Sequence, residues 1–195
     1  MELKDSQTRV NLMRAFAGES QARNRYTIAA SEAKKQGLQI IESVFLYTAD
    51  QERAHAAEFY KRLKPLAESN IEIAGGYPVD YHDTALKMLQ SAVKNETEEW
   101  DTVYKSFAQT AKEEGFTDIA RLFELVAAVE KVHADRFAYF AKLMQEGTLF
   151  SRTNDAEWLC ANCGYVHHGT NAPKVCPVCQ HGQGYFSLFE KSLFE

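Results

Sequence analysis

Apolar side chains return every three or four positions through most of the first 147 residues, the spacing of helices that bury one face. Asp5 or Ser6 caps the first predicted helix. Its inner stripe reads Leu12, Ala15, Phe16, Tyr26, Ala29, Ala30 and Ala33, and Gly37 stops it. A second helix runs from near Leu38 to before Pro65, because the proline pushes Lys64 out of the helical region. Phe45, Thr48, Ala49, Ala56, Phe59 and Leu63 line it. Residues 66–82 lose the period and carry Gly75-Gly76 and Pro78. Asp83 or Thr84 caps a third helix with Leu89, Ala92, Val93, Trp100, Val103 and Phe107 inward, ended by Gly115. Thr117 opens a fourth, with Phe123, Val126, Ala127, Ala134, Phe137 and Phe140 inward, ended by Gly147. The pattern predicts an all-α four-helix bundle over residues 1–147 with one long crossover.

Four glutamates interrupt these stripes: Glu19, Glu52, Glu96 and Glu130. Two of them open a Glu-x-x-His pair, Glu52 with His55 and Glu130 with His133, and residues three apart share a helix face. The set repeats at 77 or 78 positions. Glu19 and Glu52 are equidistant from a point beside Gly37, and Glu96 and Glu130 from a point beside Gly115, so each antiparallel hairpin levels its glutamates near mid-helix. Helices of about 28 residues are roughly 42 Å long, and the crossover can span up to roughly 55 Å, enough to aim both hairpins at one centre. Arg and Lys are missing from the inner positions. Buried carboxylates without a counter-charge cost several kcal/mol, so cations must sit among them.

Three residues after Glu19 stands Ala22, but three after Glu96 stands Glu99. With this fifth carboxylate and two imidazoles the set suits two iron or manganese ions, and Glu99 can exchange with His55 at one of them. The alternative is that Glu99 is a solvated neighbour of Glu98. Tyr26 and Tyr104, 78 apart, are either core aromatics or phenols that bond a ligand carboxylate. Two Glu and two Glu-x-x-His on four helices is the ferritin-like di-iron pattern.

Charge and composition remove other function classes. With 45% hydrophobic and 25% charged residues the chain is expected to be globular, in one or two domains. A net charge of −5 and no basic block give no support for nucleic acid or an anionic membrane as partner. No apolar run reaches membrane-spanning length.

All four cysteines fall in the last 36 residues, where the composition shifts to proline, glycine and aromatics in short runs; residues 148–195 are expected to be a second, small domain. Cys160-Ala161-Asn162-Cys163, twelve residues, then Cys176-Pro177-Val178-Cys179 reads as two knuckles around one tetrahedral ion, zinc or iron. Trp158, Tyr165, Tyr185 and Phe186 supply packing, and His167 and His168 are expected in solvent. Metal thiolates rather than disulfides fit an unexported, cytoplasmic chain.

Together the stretch Ala15–Tyr26, the run Asp50-Gln51-Glu52-Arg53-Ala54-His55, Glu130 with His133, and the C-terminal knuckles resemble the rubrerythrin family over essentially the whole chain. The resemblance implies a ferritin-like bundle followed by a rubredoxin-like domain with short β-strands. It implies a peroxidase that reduces hydrogen peroxide to water by passing two electrons from a diferrous pair into the O–O bond. Electrons would come from NAD(P)H through a separate reductase, or from a rubredoxin, by way of the four-cysteine iron. One iron would be held by Glu19, Glu52, Glu99 and His55, the other by Glu52, Glu96, Glu130 and His133, with Glu52 and Glu130 bridging. Glu99, His55, Tyr26 and Tyr104 would serve the reaction. Head-to-tail homodimers, or larger homo-oligomers, would bring the small domain to the partner's site. Gln180-His181 stands where rubredoxins carry glycine, which keeps zinc open as a substitute for iron at the knuckles. An iron-oxidising store and a plain electron carrier are the rival readings.

Overall fold

The computed structural model describes residues 1–192; positions 193–195, the end of the expected small domain, lie outside the described residues. Helices α1 (Gln7–Lys35) and α2 (Gln39–Arg62) form one hairpin. The second hairpin is α3 (Ala85–Glu98), a π-helical segment (Glu99–Val103) and α4 (Tyr104–Glu113) in one rod, packed along α5 (Thr117–Gln145).

Local chemistry sets these boundaries. The Ser6 side chain accepts the Arg9 N–H at 3.1 Å, and Thr84 accepts that of Lys87 at 3.3 Å, each satisfying an orphan donor of a first turn. Gly37 (φ 71°) and Gly115 (φ 87°) make the two left-handed hairpin turns. Pro65 lies in a short 3₁₀ turn, Lys64–Leu66, just past α2. The Glu114 carboxylate, at the second turn, accepts the N–H groups of Gln7 and Thr8, both at 2.8 Å, where the α1 dipole favours negative charge.

The expected stripes of α1, α2 and α5 are buried, apart from Phe16 and Phe140, which are half-buried. The third helix departs from expectation. Val93, Trp100 and Val103 are only half-buried, and Tyr104 takes the inner position instead. Beyond Glu99 the physical reason is the π turn: its wider winding absorbs one extra residue, so the inner face there is displaced by one position, while Val93 lies before it at the edge of the core.

The core has two parts. One, around Tyr26, Phe45 and Phe137, lies toward the Gly37 turn; the other, around Phe59, Tyr104, Phe107 and Phe123, lies toward Gly115. Glu19, Glu52, Glu96 and Glu130 occupy the level between them.

Beyond the bundle, β1 (Ser151–Cys160) runs antiparallel between β2 (Val166–Asn171) and β3 (Phe186–Leu188). Trp158, Cys160, Ala172, Cys176 and Phe186 form its buried centre, with Tyr165 and Tyr185 against it. This unit docks on its own bundle. Gly184 approaches so closely that an added Cβ would fall 1.8 Å from the Gly37 carbonyl oxygen.

Candidate metal centres

Helices α1, α2, α3 and α5 each lend one carboxylate to the middle level, and α2 and α5 add an imidazole one turn later. Glu19, Glu52, His55 and Glu130 form one group and Glu52, Glu96, Glu130 and His133 a second, the ligand atoms of each lying within 4.8 Å of one another. Glu52 and Glu130 belong to both. His55 Nδ1 lies 3.0 Å from Glu130 and 3.2 Å from Glu52. His133 Nδ1 lies 2.8 Å from Glu130 and 3.0 Å from Glu52. The two rings face each other, centroids 5.5 Å apart.

The polar atoms crowd together without well-aligned hydrogen bonds. Glu19 Oε2, Glu52 Oε1, Glu96 Oε2, both Glu130 oxygens and His133 Nδ1 are buried, touch one another as ion pairs, and find no aligned donor–acceptor geometry. Their lone pairs point at shared positions between the helices, as ligands of an ion do. An ion with bonds near 2.1 Å spreads opposite ligands over roughly 4.2 Å, so these groups match the size of two coordination spheres. Hard oxygen and imidazole donors fit iron or manganese.

Protons respond to the same crowding. Burial, then neighbouring Glu130 and Glu52, raises the Glu19 carboxyl well above the usual range; burial and Glu52 do the same to Glu96. Burial alone would make His133 less basic, but the carboxylates of Glu130, Glu52 and Glu96 outweigh it and push it up to about 11. His55 is raised likewise. Without ions the cluster holds protons, which metal binding must displace.

Glu99 stands outside the two tight groups, half-buried at the start of the π turn. Burial and then Glu96 and Glu19 raise its carboxyl well above the usual range, so it faces the cluster; Glu98 is exposed. Tyr26 donates to Glu96 and Tyr104 to Glu19, each phenol reaching across to the other hairpin. These bonds satisfy one oxygen of each carboxylate and leave the other for an ion. A small cavity of about 140 Å³ reaches Glu99 and Tyr104 from the surface, between α1 and the third-helix rod and beneath Gly75–Pro78.

Sequence reasoning missed the support behind His133. Its Nε2 lies 3.0 Å from Gln51 Oε1, which also accepts from Arg136 Nη1 at 2.9 Å. Since Gln51 Oε1 can only accept, Nε2 carries the proton and Nδ1 is free to bind. The signal was in the chain: Gln51 precedes Glu52, and Arg136 stands three after His133.

In the small domain the four cysteines form a third group, with Cys160 and Cys179 sulfurs 3.7 Å apart and Cys163 and Cys176 also 3.7 Å apart. A tetrahedron with metal–sulfur bonds of about 2.3 Å has edges of roughly 3.8 Å, whereas a disulfide would need about 2.05 Å. The His181 backbone N–H aimed at Cys179 draws that thiol down to about 6. His167 and His168 are not in the group. Gly164 (φ 77°) ends the first knuckle, and Gln180 (φ 62°) adopts the same left-handed backbone after the second.

Comparison with known proteins agrees with this architecture. The sequence model of the rubrerythrin family matches residues 11–139 and again 87–157, and that of the rubrerythrin rubredoxin-like domain matches residues 158–187. Rubrerythrin-1 of Clostridium acetobutylicum is 47% identical over 192 residues, covering 97% of this chain and 98% of that protein. Rubrerythrin of Nitratidesulfovibrio vulgaris is 44% identical, covering 95% and 96%. The solved structure of mixed-valent nigerythrin superposes with a TM-score of 0.63 at 28% identity, over 95% of this chain and 90% of that one. A bacterioferritin of Desulfovibrio desulfuricans superposes at 0.65 over 73% of this chain and 82% of its own; at 21% identity that is a likeness of fold. The helical carboxylates and imidazoles thus make a di-iron carboxylate site, and the thiolates a rubredoxin-like site. On the order of its two parts and their match along nearly the full length of these relatives, the chain belongs to the rubrerythrin family.

Proposed function

We propose that the protein is a peroxidase that reduces hydrogen peroxide to two waters, taking up two protons and two electrons, with residues 1–147 housing the reaction and 148–195 relaying electrons. The carrying observation is the convergence of buried carboxylate oxygens and imidazoles, without well-aligned hydrogen bonds among them, beneath a cavity sized for a small molecule. Two irons held by Glu19, Glu52, His55, Glu96, Glu130 and His133 would supply the electron pair that cleaves the O–O bond.

The chain's own groups do the rest. Gln51 fixes the His133 tautomer, and Tyr26 and Tyr104 hold Glu96 and Glu19 in place. Glu99, at the cavity wall, would offer the centre a carboxylate in place of His55. Leu159 and Ala161, flanking Cys160, line a cleft opposite Tyr47 and Arg136, and Arg136 leads through Gln51 to His133. That supports a relay from the thiolate iron at Cys160, Cys163, Cys176 and Cys179. NAD(P)H, through a reductase or a rubredoxin, supplies the electrons in the cytoplasm. No helix among the described residues is long and apolar enough to cross a membrane.

Serine at both Cys160 and Cys176 tests this reading. The chemically reduced variant should consume peroxide once in proportion to its ferrous iron, while turnover driven by NADH and a reductase collapses. Unchanged steady-state turnover, or equal loss of both with the bundle still metallated, would overturn it; an iron store would not depend on these cysteines.

A further inference from the structure

The crossover between the hairpins does more than connect them. Gly75–Pro78 roofs the cavity whose walls include Gly18 of α1 and Val103 and Phe107 of the third-helix rod, and whose inner end is Glu99 and Tyr104. Tyr77 lies over α1 where Gly18 leaves room: a Cβ at 18 would sit 3.9 Å from its ring. Its hydroxyl donates to the Arg14 carbonyl at 3.4 Å. Behind it the crossover is pinned to both hairpins, because Asp80 Oδ2 accepts from Arg25 at 2.5 Å and from Asn95 at 2.6 Å. With 43% of its surface exposed, Tyr77 has one side in water and the other toward the cavity.

We propose that Tyr77 is the specificity-determining residue of the substrate path, admitting hydrogen peroxide and small anions while excluding peroxides that carry a bulky organic group. The inference rests on the peroxidase reading. The cavity is about 140 Å³. It is well below the roughly 300 Å³ at which pockets begin to take drug-sized ligands. The Tyr77 ring, tied at its hydroxyl to Arg14 and carried on a crossover that Asp80 anchors three residues on, narrows the entrance against an aryl-alkyl substituent. The arrangement discriminates by repulsion, which needs no attractive contact to the preferred substrate.

The test uses the diferric full-length protein and two iron ligands that give charge-transfer bands, azide as the small probe and benzohydroxamate as the bulky one. Wild type should bind azide and exclude benzohydroxamate. In Tyr77→Ala the ratio of benzohydroxamate to azide association rates should rise at least about tenfold, the scale of a steric pocket effect. Tyr77→Phe, which keeps the ring, should still exclude the bulky ligand. The ratio of kcat/KM for cumene hydroperoxide to that for hydrogen peroxide should rise in parallel in Tyr77→Ala. Equal access of benzohydroxamate to wild type and Tyr77→Ala, or failure of azide to reach wild-type iron, would overturn the proposal. Exclusion relieved in Tyr77→Ala, in a protein that reduces no peroxide, would instead overturn the peroxidase reading and leave the roof standing.

Discussion

The two hairpins of the bundle repeat each other at the inner positions that line the centre. Tyr26 and Tyr104, Phe45 and Phe123, Glu52 and Glu130, His55 and His133, and Phe59 and Phe137 all pair at 78 positions; Glu19 and Glu96 pair at 77. The one extra residue between Glu96 and Tyr104 is taken up by the π turn, and at that turn Glu99 replaces what is Ala22 in the first half. Two matched halves make a symmetric cage, suited to holding two similar ions. A reaction that changes the charge of the centre gains from a side that can respond. The second half supplies it with one inserted residue and one added carboxylate, and the cavity meets the cluster on that side.

Single-residue deletions break the comparison most severely. Removing Asn24, in regular α-helix, would rotate Tyr26, Ala29, Ala30 and Ala33 by about 100° out of the core and should cost more than about 4 kcal/mol, seen as loss of the folded state in thermal melts. Removing Asp101 should collapse the π turn to α while Tyr104 keeps facing Glu19, lowering the melting temperature by no more than about 5 °C. Equal damage from both would mean that the turn is not an insertion.

Glu99→Ala makes the halves chemically alike. Metal analysis should still find both bundle ions, since His55 and the other carboxylates remain, while kcat/KM for peroxide falls at least about tenfold. Full activity would make Glu99 a bystander.

A gentler probe asks whether both halves hold protons when no ion is bound. His133, pushed up to about 11, binds its proton more tightly in the folded state, so that stabilisation is present below an ordinary 6.5 and is lost as pH rises toward 11. The raised Glu19, Glu96 and Glu99 carboxyls act in the same direction from their ordinary 4.5 upward. Melting of the metal-free protein should therefore shift down between pH 6.5 and 9. Metal loading, which needs deprotonated ligands, should strengthen over that range. A metal-free melting point that rises with pH would contradict the clustered geometry.

The smallest effect concerns the knuckles, which repeat the comparison in miniature. Gln180 adopts the left-handed backbone that Gly164 adopts in its twin, at a cost of about 1 kcal/mol. Gln180→Gly should stabilise the small domain by about 0.5 kcal/mol, part of the strain being offset by glycine's greater freedom when unfolded, measured by denaturant titration of the metal-loaded protein.

Much of this was legible in the sequence because burial leaves a periodic trace. Glu19, Glu52, Glu96 and Glu130 stood out as charges in apolar stripes, and glycines marked the turns. The π turn hid because helical periodicity assumes a constant winding, although the mismatch between the Glu19–Glu96 and Tyr26–Tyr104 spacings marked it. Tyr77 and Asp80 lay in a segment without period, where only three-dimensional packing assigns roles. Gln51 and Arg136 were obscured for another reason: as polar residues beside candidate ligands, they resembled solvated neighbours until their shared hydrogen bonds were seen.

The repeat also bears on how the bundle is held together. Each hairpin carries two apolar stripes, one Glu-x-x-His pair and half of the six candidate ligands of the two tight groups, and the exposed Gly75-Gly76 lies between them. A chain cut there would become two complementary fragments, neither able to cover its own stripes or neutralise its own carboxylates. Their reassociation would create the ion-binding positions, and ions would favour reassociation in turn. The metal would then act as the clasp between two pieces, and a single hairpin pairing with its own copy would present the same clasp in symmetric form.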